Sequence, residues 1–281
     1  MKTTIQQIKE FKLRGEKFAM LTAYDYPTAQ IIDRCGIPVI LVGDSLGNVV
    51  LGYDSTIPVT MDDMIHHTKA VVRGSNNALV VGDMPFMTYQ INVEETLRNA
   101  SRFIQEAGAQ AVKLEGGVTV ADKVKKLVEC GIPVMGHIGL TPQSINQLSG
   151  HKVQGRSLDA ARKLIADARA LEEAGAFAVV LETIPAELSA FITSKIGIPT
   201  IGIGAGPACD GQVQVISDLL GLFTDFVPKH AGQYAKLAGL MAEGITGYAK
   251  DVSKGEFPTA QQSFTMDSSV LDTLKQENEA A

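Results

Sequence analysis

The sequence predicts a closed parallel (β/α)8 barrel, and three observations carry that prediction. One phrase occurs twice, as EAGAQAVKLEG at 106–116 and EAGAFAVVLET at 173–183. Gly-Ile-Pro opens three apolar runs: GIPVILVGD (36–44), GIPVMGHIG (131–139) and GIPTIGIGA (197–205). With these five runs, the segments 18–24, 79–85 and 223–227 make eight apolar stretches of strand length in a chain of 281 residues. Most are near-continuous in hydrophobicity, as strands covered on both faces should be. Eight βα units in this length fit a closed barrel better than the alternative, a doubly wound open sheet.

Each Gly-Ile-Pro follows a helical pattern. The glycine can end that helix, and the proline can take the first strand position, where its missing N–H costs least. Helical periodicity falls at 61–73, 93–107, 120–130, 157–174 and 185–196. Thr60 and Asn92 are the candidate N-caps, with Glu95 three residues after Asn92. No linker divides the chain. The expected organisation is one catalytic barrel over 1–264 and a polar C-terminal tail over 265–281 (TMDSSVLDTLKQENEAA), with one loose helix and no chemistry.

A net charge of −6 with no basic stripe argues against nucleic acid, whose binding needs clustered cations. The N-terminal MKTTIQQIKEFKLRGEK has no apolar core of a secretory signal, and no membrane-length apolar run follows, so a soluble cytoplasmic protein is expected. Cys35, Cys130 and Cys209 are too few and too scattered for a disulfide framework or a zinc site. Cys35 and Cys130 each precede a Gly-Ile-Pro and are expected to pack as small buried apolar residues.

In a parallel barrel, functional groups gather at the C-terminal strand ends. The charged residues of the apolar runs fall there: Asp44 and Ser45 after the second, Asp83 after the third, Lys113 and Glu115 on the fourth, His137 on the fifth and Glu182 on the sixth. Side chains alternate across a strand, so Lys113 and Glu115 share the interior face with Cα atoms roughly 6.6 Å apart, while Val112 and Leu114 face the helices. Taken singly, a strand-end Asp can be only a cap, Lys113 and Glu115 only an ion pair, and His137 only a satisfied core histidine. Together, Asp44, Asp83 and Glu115 would repel one another unless a cation lay between them. A hard divalent ion such as Mg2+ suits three carboxylates.

Two other features are weaker. Gly202-Ile-Gly204-Ala-Gly206 fails as a dinucleotide fingerprint, because position 207 is proline and no long helix pattern opens there. It can be a phosphate loop, or its glycines can permit a close backbone approach. His66 and His67 sit on a helix with no evident partner and are expected at the surface or an interface.

The motifs LTAYDYPTA (21–29), LVGDSLG (41–47), GYDSTIPVTMDDM (52–64), DMPF (83–86), VKLEGG (112–117), GHIGLTPQS (136–144), KVQGR (152–156) and GIGAG (202–206) resemble those of the ketopantoate hydroxymethyltransferases. The resemblance runs in order from about residue 3 to residue 264 and does not reach the tail. Where this chain has His151, ahead of KVQGR, the family commonly has Tyr.

The resemblance implies a Mg2+-dependent (β/α)8 TIM barrel of the phosphoenolpyruvate/isocitrate lyase type. It implies transfer of a one-carbon unit from 5,10-methylenetetrahydrofolate to 3-methyl-2-oxobutanoate, giving 2-dehydropantoate on the way to pantothenate. By motif, Asp44 and Asp83 are metal ligands, Glu115 joins them directly or through water, Ser45 and Lys113 hold the keto acid, and Glu182 is the base. His137 matches an active-site histidine of open role. A homodecamer is the family's usual assembly. Two residues before Glu182 stands Val180, where the first copy of the repeat has Lys113, so Glu182 is expected to lack that cationic neighbour. Sibling lyases and phosphonomutases of this barrel type tend to carry a Cys-bearing loop in mid-chain, which is not evident here. A catalytically dead barrel would have lost part of the mouth set, and here the set is complete.

Overall fold

Eight parallel strands close into a barrel in sequential order: β1 (Phe18–Thr22), β2 (Val39–Val42), β3 (Leu79–Asp83), β4 (Ala111–Glu115), β5 (Val134–Gly139), β6 (Ala178–Glu182), β7 (Thr200–Ile203) and β8 (Gly211–Gln214). β8 pairs in parallel with β1 and completes the closure. The computed structural model describes residues 2–224 and 226–279, within two compact units, Met1–Tyr234 and Ala235–Ala281.

Alternation along the strands sorts the core into two layers. Met20, Val39, Leu41, Val81, Ala111, Met135, Val180 and Ile201 pack together inside the barrel. Ile40, Val42, Val80, Val112, Leu114, Val134, Val179 and Leu181 pack outward with the helices. Each fully buried aliphatic side chain contributes about 1.5–3 kcal/mol of transfer free energy, so together these layers are the main driving force for closure. The helix layer presses close enough to require glycine in the sheet: a Cβ at Gly82 would collide with the Phe103 ring.

The expected helices are present as Met61–Gly74, Val93–Gln105, Ala121–Glu129, Leu158–Glu173 and Ala186–Lys195. Thr60 and Asp63 form a capping box, and Asn92 accepts from the Glu95 N–H at 2.8 Å. An N-terminal helix, Ile5–Arg14, buries Ile8 in the same interior cluster as Phe18 and Phe177. Its Lys12 pairs with Asp210 at 2.9 Å, and Asp210 also accepts from the Thr200 N–H. These contacts join the helix to the segment linking β7 and β8.

Three expectations are corrected. The eighth strand is Gly211–Gln214, not 223–227. Its burial alternates, with Gln212 exposed, so it shows no continuous apolar run. Phe223 and Phe226 lie instead in the loop that follows and line the barrel mouth, while Asp225 lies outside the described residues. Cys35 and Cys130 are exposed rather than packed. Each is a helix C-cap, and the left-handed glycine after it (Gly36 at φ 77°, Gly131 at φ 85°) turns the chain so that the thiol stays outside. His66 is exposed as expected, but His67 is half-buried and its Nδ1 lies 2.6 Å from the Tyr24 carbonyl oxygen. The glycines of 202–206 serve close approach: a Cβ at Gly206 would collide with Ala186.

The second unit contains the helices Leu237–Lys254 and Ser268–Glu279. Composition becomes polar at 265, whereas the compact units divide at Tyr234. Among the described residues no helix is long and apolar enough to cross a membrane.

Candidate active site

Because Asp83, Lys113, Glu115, His137 and Glu182 share the parity of the interior-facing residues on their strands, all five point into the barrel mouth. Asp44 and Ser45 follow β2 by one turn. The register sets the neighbours: Asp83 lies opposite Lys113, Glu115 opposite His137 and Gly139 opposite Glu182. The alternative of a Lys113–Glu115 ion pair gives way to another partner. Lys113 Nζ donates to Asp83 Oδ2 at 2.6 Å, with both side chains buried.

His137 sits between the two glutamates that end the repeated phrase. Its Nδ1 is 3.4 Å from Glu115 Oε1 and its Nε2 is 3.1 Å from Glu182 Oε2. Neither contact is aligned as a hydrogen bond, so the attraction is electrostatic. Glu182 thus does have a cationic neighbour when His137 is protonated. It comes from the adjacent strand, which within-strand alternation does not reveal.

Negative charge is in excess here. Burial pushes the Asp83 carboxyl up to about 7, helped by Asp44 and Glu115 and opposed by Lys113. Burial likewise raises Glu115, against the pull of His137. For Lys113, burial disfavours the charge, but Asp83, Asp44 and Glu115 outweigh it and hold the ammonium above its ordinary range. Burial and Lys113 disfavour imidazolium at His137, yet Glu115 and Glu182 prevail and raise it to about 9.

A polar clamp orders the carboxylates, and Gln143 is its centre. The buried amide donates from Nε2 to Asp44 Oδ2 and to the Met84 carbonyl, both at 2.9 Å. The Gln143 backbone N–H donates to Glu115 Oε2 at 3.1 Å. Tyr89 Oη donates to Gln143 Oε1 at 2.7 Å and accepts from the Glu115 N–H at 3.1 Å. Ser45 Oγ and Tyr24 Oη lie 2.8 Å apart. Gln143, Tyr89 and Tyr24 escaped the sequence argument, although Gln143 and Tyr24 lie in the quoted motifs. Uncharged polar residues in loops leave no periodic signal. Beside Glu182, Thr183 holds φ 50°, fixed by its N–H to the Ile203 carbonyl and by the Gln154 N–H to its own carbonyl. Such a conformation costs a non-glycine residue on the order of 1 kcal/mol.

The mouth opens into a cavity of about 1130 Å³ lined by the charged groups Asp44, Asp83, Lys113, Glu115, His137 and Glu182 and by Leu140, Val153, Phe223 and Phe226. Among the described residues no cysteine lines it. Among the described residues, no three His, Cys, Asp or Glu side chains form a ready-made ion cage. Two buried carboxylate oxygens, Asp83 Oδ1 and Glu115 Oε1, nevertheless have no hydrogen-bond partner among the described residues. Mg2+ commonly takes one or two carboxylates and fills its octahedron with water and substrate oxygens. The oxygen-only donor set, the orphaned oxygens and the surplus negative charge fit such an ion.

A family model described as Ketopantoate hydroxymethyltransferase matches residues 2–260. A protein of Dehalococcoides mccartyi named 3-methyl-2-oxobutanoate hydroxymethyltransferase is 69% identical over 275 residues, covering 98% of each chain. One of the same name from Chloroflexus aurantiacus is 59% identical over 271 residues, covering 96% of each. In fold, the chain is similar to a crystal structure of 2,3-dimethylmalate lyase, a PEP mutase/isocitrate lyase superfamily member, with TM-score 0.57, 16% identity and full coverage of both chains. The chain belongs to the ketopantoate hydroxymethyltransferase family.

Proposed function

We propose that the chain transfers the one-carbon unit of 5,10-methylenetetrahydrofolate to 3-methyl-2-oxobutanoate, with water, to give 2-dehydropantoate and tetrahydrofolate. Family membership and the names of its relatives support this reading. The observation that carries it is a buried acidic cluster holding one lysine, beside a glutamate–imidazole pair, at the mouth of a cavity large enough for two substrates.

Asp44 and Asp83 would hold Mg2+, with Glu115 completing the set directly or through water. When bound, the ion supplies Lewis acidity to the carboxylate and keto oxygens of the substrate. Lys113 balances the negative charge that grows on the keto oxygen as C3 loses its proton. Ser45, at the same strand end, is within reach to orient the substrate carboxylate. C3 of this substrate bears two methyl groups and one hydrogen, so the site needs one base beside an apolar wall. Glu182, less buried than Glu115 and preceded by Val180 on its own face, is placed to take that proton. His137 holds the Glu182 carboxylate in orientation. Water releases the one-carbon unit at the formaldehyde level as its two C–N bonds to the folate break and tetrahydrofolate is left. The carbon nucleophile attacks that carbon, forming the new C–C bond while its carbonyl oxygen takes up a proton and becomes the product hydroxyl.

The first step of pantothenate synthesis, a cytoplasmic location and a homodecameric assembly belong to the same reading and rest on family likeness. The deciding experiment is folate-dependent formation of 2-dehydropantoate by the purified protein with Mg2+, measured beside other 2-keto acids. Turnover that ignores folate or prefers an unbranched keto acid overturns the reading.

A further inference from the structure

One group at the mouth has no place in this chemistry. Asp218 lies in the short helix Ile216–Leu219 just after β8, is only 7% exposed and lines the cavity. Its carboxylate makes no hydrogen bond or ion pair with any described residue, whereas the other deeply buried aspartates outside the acidic cluster are well served. Asp33 accepts from the backbone of residues 76–78 and Asp210 from Thr200 and Lys12. Burial raises the Asp218 carboxyl, with His230 pulling the other way. A largely enclosed carboxylate that faces a cavity and has no protein donors is a group that a ligand's N–H donors can serve.

The surroundings suit a flat, partly apolar ligand. On the loop after Asp218, Phe223 and Phe226 line the cavity, and Lys229 stands exposed on the same lining. The cavity, about 1130 Å³, exceeds the roughly 300–1,000 Å³ that holds a drug-sized molecule. A small keto acid beside Lys113 leaves much of it free.

We propose that Asp218 anchors the pterin of the folate co-substrate. The inference rests on the reading that a folate is the one-carbon donor. The 2-amino-4-oxopyrimidine edge of a pterin presents its N3–H and 2-amino donors side by side. That spacing matches the two oxygens of a carboxylate, as a guanidinium does. Phe223 and Phe226 offer aromatic surface to the pterin rings, and Lys229 offers a cation to the glutamate end of the molecule.

The test is anaerobic calorimetric binding of tetrahydrofolate, and of its analogue lacking the 2-amino group, to the full-length protein with Mg2+ and keto acid present. Wild type should bind tetrahydrofolate at least tenfold more tightly than the analogue. Asp218→Asn should lose at least tenfold for tetrahydrofolate and much less for the analogue, with the KM for the methylene donor rising in step. Equal tetrahydrofolate binding by Asp218→Asn and wild type overturns the assignment alone. Equal losses for both ligands do the same, by marking Asp218 as structural. Wild type that binds no tetrahydrofolate overturns the folate reading itself and the assignment with it. Should Asp218→Asn fail to fold, the wild-type comparison decides, since equal binding of the two ligands overturns the assignment.

Discussion

His137 Nε2 lies 3.1 Å from Glu182 Oε2, and through this contact the two copies of the repeated phrase share one imidazole. The pair divides labour between the two glutamates. Both line the cavity, but Glu115 is the more deeply buried and is clamped by Gln143, while Glu182 is the more exposed. Glu182→Gln should retain Mg2+ and keto-acid binding but slow exchange of the C3 hydrogen of 3-methyl-2-oxobutanoate by about 10²-fold or more, the usual worth of a positioned base. Deuterium exchange followed by NMR checks this without folate. Near wild-type exchange in that variant transfers the role of base to His137.

Among the described residues Lys113 is the one ammonium inside the acidic cluster, and it is paired with Asp83 rather than with its strand neighbour Glu115. Lys113→Ala should raise the KM for the keto acid and lower kcat, because the charge it balances grows during proton abstraction. It should also destabilise the metal-free protein by about 3–5 kcal/mol, since a buried carboxylate loses its counter-ion. Saturating Mg2+ should recover part of that loss. Steady-state kinetics and denaturant melts with and without Mg2+ check the two claims, and wild-type kinetic constants would leave Lys113 a structural partner only.

Asp44→Asn and Asp83→Asn should each weaken Mg2+ binding strongly while leaving the barrel folded, with Asp83→Asn the less stable of the two because it leaves the buried Lys113 ammonium without its counter-ion. The metal also competes with a proton at Asp83, whose carboxyl sits near 7 without it. Below that pH the proton must leave for the ion to bind, and above it the site is already ionised. Mg2+ affinity should therefore rise as pH increases from 6 to 8 and then level, with proton release on binding below pH 7. Calorimetry in buffers of differing ionisation heat reads both quantities. An affinity independent of pH across that window contradicts the assignment of Asp83.

His137 gives a stability signature of opposite sense. Its folded pKa, about 9, lies above the ordinary value of 6.5, because Glu115 and Glu182 favour imidazolium more strongly than burial and Lys113 oppose it. A raised histidine contributes stability that is fully present below pH 6.5 and is lost as pH climbs through 9. In EDTA, the stability difference between wild type and His137→Gln should therefore shrink from pH 6 to pH 9.5. Denaturant midpoints across that range check it, and a constant difference would show that the imidazole carries no such charge.

Much of this was legible in the sequence because strand periodicity is local. The repeated phrase placed Glu115 and Glu182 at equivalent strand ends, and alternation alone turned Lys113 and Glu115 inward, as the packing of Val112 and Leu114 against the helices bears out. Contacts between strands were not legible. The Lys113–Asp83 pair and the His137 bridge depend on the register of neighbouring strands, which no single segment encodes. The eighth strand was misplaced for a related reason: with Gln212 exposed, Gly211–Gln214 lacks the two-sided apolar cover that marks the other strands. Asp218 was overlooked because it follows that strand.

Gln143 carries the remaining prediction, since it joins Asp44 and Glu115 across two loops. Its amide donates to Asp44 Oδ2 and its backbone N–H to Glu115 Oε2. Gln143→Ala keeps the second bond but frees the Asp44 carboxylate to turn, and it leaves Tyr89 Oη and the Met84 carbonyl without their amide partner. Loss of such a support around a metal site typically weakens the metal by about 10–100-fold. Orphaning the buried tyrosine hydroxyl should cost about 1–3 kcal/mol of stability. The two effects separate in experiment, because Mg2+ titration in the presence of keto acid reads the first and denaturant unfolding in EDTA reads the second. A variant destabilised by this amount yet binding Mg2+ as wild type does would make Gln143 a packing residue, with Asp44 held by the loop alone.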